Sequence, residues 1–131
     1  MSTENNSELL YSNSVQILTD LIAFKTISGE DNSLLIDYCD NILKELGATS
    51  FRTYDDEKKR VNLFATLKAK NSNNKKPIIL SGHTDVVPVS KGWSSDPFTA
   101  TIKGNKLYGR GSCDMKGFIA CALAYAPIYS K

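Results

Sequence analysis

Three apolar residues stand in a row between Pro77 and Gly82, in the string PIILSG, without the polar alternation of a half-exposed strand. A run of this kind suits a strand covered on both faces, and such strands lie in sheets flanked by helices. It predicts a central strand in a layered sheet. The preceding residues supply helices. Val15, Leu18 and Ile22 form one stripe and Ile17, Leu21 and Phe24 an adjacent one, so the spacing predicts a helix capped by Ser14 after a polar arm over residues 1–13. A second helix is expected from about Asn32 to Leu46, with Leu35, Tyr38, Cys39, Ile42 and Leu46 on one side and Gly47 as its stop. Cys39 then reads as core packing.

The segments Ser50 to Tyr54 and Val61 to Leu67 have strand composition and flank the charged turn Asp55 to Arg60. The Asn, Ser and Lys stretch from Lys70 to Lys76 suits an exposed hairpin tip. Gly104-Asn105, between Phe98–Ile102 and Lys106–Tyr108, signals a further hairpin. Lys116 to Tyr129 is apolar enough for a buried helix, which Pro127 should kink or end. Together these elements predict an α/β fold, layered helix/sheet/helix with a mixed sheet. With 131 residues and 41% apolar content, the chain is sized for one core and one domain.

Charge and cysteine usage narrow the partners. Sixteen Lys plus Arg against 14 Asp plus Glu leave a formal +2, which argues against a nucleic-acid clamp. The longest apolar stretch, Phe118 to Ala126, falls well short of the roughly 18 to 20 residues of a membrane span. The start MSTENNSE lacks the charged-then-apolar order of a secretion signal. Cys39, Cys113 and Cys121 are odd in number and carry no CxxC spacing, so neither a disulfide framework nor a zinc knuckle is suggested. The expectation is a cytoplasmic protein with no nucleic-acid or membrane partner.

The only histidine, His83, follows the presumed central strand in Ser81-Gly82-His83-Thr84-Asp85. Loops leaving the carboxyl ends of strands are where α/β sheets place ligand sites. A period of two puts His83 and Asp85 on one side, and a metal-binding imidazole usually donates its other N–H to a carboxylate. Taken alone, the pair is equally an ordinary strand end. In Tyr108-Gly109-Arg110-Gly111-Ser112-Cys113-Asp114-Met115-Lys116-Gly117, a strand passes through two glycines to Asp114 at the mouth of the last helix. Asp114 is placed there either to cap that helix or to reach a cation beside His83. Arg110-Gly111 stands where a phosphate-binding loop requires Lys followed by Ser or Thr, which argues against nucleotide binding. Cys113 as nucleophile with His83 as base is a weaker alternative. Trp93, Pro97 and Phe98 read as loop anchors, and Asp96 as a turn residue. Arg110 is suited either to a substrate carboxylate or to a structural ion pair, and Lys116 to the surface or the helix start.

The strings LSGHTDVVPV (Leu80 to Val89), GWSSDPF (Gly92 to Phe98) and LYGRGSCDMKGFIA (Leu107 to Ala120), in this order, resemble the amino-terminal signature of the aminoacylase and carboxypeptidase-like zinc metallohydrolases. FKTISG at Phe24 to Gly29 agrees with that family's opening helix and loop. Within the family the strings look most like the acetylornithine deacetylases, while succinyl-diaminopimelate desuccinylases and aminoacylases share much of the frame. The resemblance implies that residues 1–131 are the amino-terminal portion of a catalytic domain, without the inserted dimerisation and lid domain or the carboxyl-terminal part. It implies two Zn2+ per complete site, with Co2+ able to substitute, and a homodimer in the full-length form. The implied reaction is hydrolysis of a small N-acyl amino acid, above all N-acetyl-L-ornithine to ornithine and acetate in arginine biosynthesis.

Position by position, the resemblance makes His83 a ligand of one zinc and Asp114 the carboxylate bridging two. Asp85 serves catalysis by orienting His83. The family's general base belongs to a Glu-Glu pair downstream of the DMKG helix, and this chain does not contain it. From Met115 to Lys131 there is no Asp, Glu or His. One His and one bridging Asp leave each metal short of three protein ligands, so the chain alone is expected to bind metal poorly and not to turn over. The other reading is a non-catalytic fragment that acts only by assembling with a complementary chain. Under the metal reading, His83 and Asp114 should face one crevice with donor atoms roughly 3 to 5 Å apart.

Overall fold

The computed structural model describes residues 3–70 and 76–129. Helix α1 spans Thr3–Ala23 and α2 spans Ser33–Glu45. Strands β1 (Thr49–Tyr54) and β2 (Val61–Thr66) follow, then β3 (Thr101–Lys103) and β4 (Lys106–Tyr108). An irregular turn over Ser112–Lys116 leads into α3, Gly117–Tyr129.

Helix α1 runs back through the expected polar arm, because no proline or glycine interrupts residues 3–13 and polar side chains cost little on a solvated helix face. Ser14 therefore lies inside the helix, its Oγ donating to Leu10 O at 2.8 Å, and does not cap it. The two apolar stripes do bury: Leu21 and Ile22 are fully enclosed. Leu21 joins Leu35, Ile36, Cys39, Val61, Ala120 and Leu123 in one core, with Ile17, Leu18, Phe24, Tyr38 and Ile42 packed around it. Cys39 is thus a packing residue, as its place in the α2 stripe requires. The Gly47 N–H donates to Lys44 O at 2.9 Å and closes α2. Helix α3 carries Pro127 in its last turn and still continues to Tyr129. The expected end of the helix at Pro127 is therefore not observed: the proline lies inside α3.

Strands β1 and β2 pair antiparallel from Thr49↔Thr66 to Tyr54↔Val61. Asp55 organises the turn between them, accepting from Lys59 N at 2.8 Å, Arg60 N at 3.0 Å and Arg60 Nε at 2.7 Å. Strands β3 and β4 form the second expected hairpin, from Thr101↔Tyr108 to Lys103↔Lys106. The expected tip at Lys70 to Lys76 lies, over 71–75, outside the described residues.

The central strand is not formed. Pro77 to Gly82 joins no ladder, and Ile78, Ile79 and Leu80 are 89%, 76% and 51% exposed. Instead of one mixed sheet, the described residues hold two antiparallel pairs and a single parallel bridge, Ile27↔Val86. An apolar run reports that burial is favourable, but a strand also needs a partner edge alongside for its amides, and residues 77–82 pair with neither hairpin. The architecture remains mixed α/β, with helices enclosing the core. No helix among the described residues is long and apolar enough to cross a membrane.

One buried charge ties α2 to the first hairpin. Asp40, 1% exposed, accepts from Ser50 Oγ at 2.6 Å, Lys44 Nζ at 2.8 Å and Arg52 Nε at 3.1 Å. Burial pushes its carboxyl up, but the bonds from Lys44, Ser50 and Arg52 outweigh burial and hold it at about 2. Because the folded value lies below the unfolded one, Asp40 stabilises fully above about pH 4 and loses its contribution as pH falls toward 2. Asp40→Asn should lower the denaturation midpoint at pH 7 by the equivalent of roughly 2 kcal/mol. It should also flatten the decline in melting temperature between pH 4 and pH 2, and an unchanged acid profile would discard this assignment.

Candidate functional site

The loop after α1 grips the segment that carries His83. Val86 N donates to Thr26 O at 2.9 Å and Ser28 N to Val86 O at 2.9 Å, which forms the parallel bridge. Thr26 Oγ1 donates to Thr84 O at 2.6 Å, and Asn32 Nδ2 to Thr84 Oγ1 at 3.1 Å. The second arm leaves β4 through Gly109 and Gly111. A Cβ on Gly109 would stand 2.8 Å from Ile22, and one on Gly111 would stand 2.5 Å from Val86, with φ already at +82°. Both positions need glycine because the backbone passes too close to its neighbours for a side chain.

These arms bring the three expected residues together. His83 Nε2 faces Asp114 Oδ1 at 3.0 Å, while His83 Nδ1 lies 3.0 Å from Asp85 O and 3.3 Å from Asp85 Oδ1. Ser28 Oγ donates to Asp85 Oδ2 at 2.5 Å. Asp114 does not serve as a cap; its side chain points at the imidazole. The three line one half-open cavity of about 260 Å³ together with Ser28, Arg110 and Cys113. The Asp85 carbonyl and then the Asp114 carboxylate raise the pKa of His83, and the Ser28 hydroxyl lowers that of Asp85. The place between imidazole and carboxylate therefore favours positive charge, and a proton and a metal ion compete for the same ring nitrogen.

The donor set fits part of a metal site. Two ligands each about 2 Å from one tetrahedral ion stand roughly 3.3 Å apart, close to what the His83 and Asp114 donors show. Among the described residues no group of three or more His, Cys, Asp or Glu side chains could enclose an ion. The cavity thus presents two donors where a zinc site uses at least three protein ligands.

Other residues sort by contact. Both ring nitrogens of His83 are engaged by Asp85 and Asp114, which leaves none to serve Cys113 as a base. Arg110 forms no ion pair with a described carboxylate: its guanidinium lies 5.1 Å over the Trp93 ring, and Nη2 reaches Pro88 O at 3.4 Å. It holds the loop by stacking, and its backbone N–H donates to Pro97 O at 2.6 Å. Asp96 accepts from Phe98 N at 3.0 Å and Thr99 Oγ1 at 2.9 Å, the turn expected of it. Lys116 departs most from expectation. It is fully buried, its Nζ donates to Leu21 O and Phe24 O at 2.8 Å each, and burial pulls its pKa down to about 8. The carbonyls at the end of α1 lack helical partners, which explains why a lysine can be enclosed there. Ser28 is the residue that sequence reasoning passed over; only the FKTISG string contained it.

The mixed α/β scaffold that carries this cavity has a solved counterpart in fold. The fold matches human carnosine dipeptidase 1 with a TM-score of 0.72 at 24% identity, over 95% of this chain and 30% of that one. The class the fold defines is therefore mixed α/β, sharing the architecture of part of that larger chain. Residues 79–131 match Peptidase family M20/M25/M40. Succinyl-diaminopimelate desuccinylase of Rickettsia canadensis (strain McKiel) is 42% identical over 118 residues, which is 86% of this chain and 29% of the relative. The enzyme of the same name from Rickettsia akari (strain Hartford) is 40% identical over 116 residues, 84% of this chain and 29% of the relative. Acetylornithine deacetylase of Myxococcus xanthus is 40% identical over 109 residues, 81% of this chain and 28% of the relative. The chain thus spans less than a third of the length of these relatives.

Proposed function

We propose that this chain carries the first metal-binding portion of a metal-dependent amide hydrolase acting on a small N-acyl amino acid. The observation behind this reading is the approach of His83 Nε2 and Asp114 Oδ1 to 3.0 Å across one cavity, from positions 31 residues apart. Peptidases of the matched family are generally metal-dependent. In this reading His83 ligates one zinc, Asp114 bridges two and Asp85 orients His83, with Co2+ able to replace Zn2+. Metal held there would supply Lewis acidity, polarising an amide carbonyl and lowering the pKa of a water. The chain's own residues do the positioning. Ser28 steadies the Asp85 carboxylate, Asp85 fixes the imidazole plane, and the half-open cavity admits the acyl group.

We take N-acetyl-L-ornithine as the substrate, releasing ornithine and acetate for arginine biosynthesis, with the succinyl-diaminopimelate reaction as the alternative. Relatives of both names match this chain at 40% identity. The full-length form is read as a cytoplasmic homodimer; three free cysteines suit a reducing compartment. To test this, the chain replaces the matching part of the Myxococcus xanthus acetylornithine deacetylase, and ornithine release is followed with Zn2+ or Co2+. The chimera should hydrolyse N-acetylornithine and lose activity to a chelator, whereas the 131-residue chain alone should give no turnover. A folded chimera inert on both acyl substrates would defeat the proposal.

The exposed Ile78, Ile79 and Leu80 favour a second reading, a fragment that works only by assembly with a complementary chain. That reading gains if the complement makes the chain monodisperse in light scattering yet no acyl substrate is cleaved.

A further inference from the structure

Both arms of the cavity hang from one short stretch, the end of α1 and the loop behind it. The His83 arm is held there by Thr26, Ser28 and Asn32. The Asp114 arm has a different tether. Asp114 is 85% exposed, and among the described residues its carboxylate has one polar partner, His83 itself, so its own backbone decides where the carboxylate stands. That backbone is fixed two residues on, at Lys116. The Lys116 N–H donates to Gly111 O at 2.9 Å, its stem packs beside Gly111, and its ammonium grips Leu21 O and Phe24 O. The contacts reach back 95 and 92 positions along the chain, to the residues just before the loop that holds the other arm.

We propose that Lys116 is a positioning residue: by locking the 111–116 turn onto the end of α1, it sets the Asp114 carboxylate at imidazole distance from His83. The inference rests on the reading above for what the pair then binds, but the geometry it claims is measurable without metal. An ammonium with two charge-assisted bonds to helix-end carbonyls gives a stiffer anchor than apolar packing, which has no preferred direction. A guanidinium can donate to the same two carbonyls; a thioether cannot.

The test uses the chain labelled with 15N-histidine, whose single imidazole gives unambiguous ring-nitrogen resonances at fixed pH. Asp114→Ala supplies the reference for a lost contact. In Lys116→Met the His83 Nε2 resonance should move to the Asp114→Ala position, while Lys116→Arg should stay with the parent. In the chimera, Zn2+ affinity by calorimetry should fall at least tenfold in Lys116→Met and recover in Lys116→Arg, the size of effect known for groups that orient a ligand. If Lys116→Met does not fold, Lys116→Gln, whose amide can still donate to one carbonyl, carries the same comparison. A folded Met or Gln variant with the parent's Nε2 resonance overturns the proposal, as does a parent already at the Asp114→Ala position. If the resonances respond as stated but the chimera with the Myxococcus xanthus enzyme takes up no Zn2+, the positioning role stands and the metal reading fails.

Discussion

In the active chimera, His83→Ala or Asp114→Ala should reduce kcat/KM beyond the roughly 10–100-fold that loss of an outer partner of a metal ligand typically costs. The reason is that each side chain supplies one of the two facing donors that the described residues bring together in the cavity. Removing either leaves the other facing water, and the metal content of the purified protein should fall together with the activity. Asp85→Ala should stay inside the 10–100-fold range, because the Nδ1 of His83 keeps the backbone carbonyl of residue 85 at 3.0 Å. The double variant His83→Ala/Asp114→Ala should be no worse than the weaker single one, since groups acting as a unit are not additive. Full activity and full metal content in either single variant would end the metal assignment.

The largest stability effect is expected from Leu21→Ala, at about 2–5 kcal/mol, which for a domain with about 5–15 kcal/mol in total is a substantial fraction. Leu21 is fully buried where α1 meets α2 and α3, and the cavity left by the lost atoms would open in the core that the described residues form. Leu9 lies on the same helix and is 58% exposed, so Leu9→Ala should stay within about ±0.5 kcal/mol. Urea midpoints of the two variants make the comparison, and equal midpoints would show that the α1 interface does not hold the core. Because the Leu21 carbonyl also receives Lys116, a loosened α1 should disturb His83 as well, visible in the same ring-nitrogen resonances.

What was legible in the sequence followed from short-range periodicity. The α1 and α2 stripes, the stop at Gly47, the two hairpins and the Asp96 turn each rest on a repeat or a turn residue within a few positions. The His83–Asp85 relation was legible for the same reason, as a strand period of two. The HTD and DMKG strings further implied that Asp114 would meet His83, and the structure does bring the two side chains together. Other features escaped because periodicity carries no information on partners. The start of α1 at Thr3 was hidden by a polar composition that a solvated helix tolerates. Pro77 to Gly82 had the composition of a covered strand, but pairing depends on which edges are free to receive its amides.

By itself, then, the sequence determined which segments become helix or hairpin and which residue types are available for chemistry, since backbone preference and side-chain period act over a turn or two. Only the tertiary structure decided that Lys116 is enclosed and not solvated, that Arg110 stacks on Trp93 and pairs with no described carboxylate, and that Ser28 stands behind Asp85. Each of these depends on a contact between distant parts of the chain, and a buried polar group is stable only where the fold happens to supply its hydrogen-bond partners.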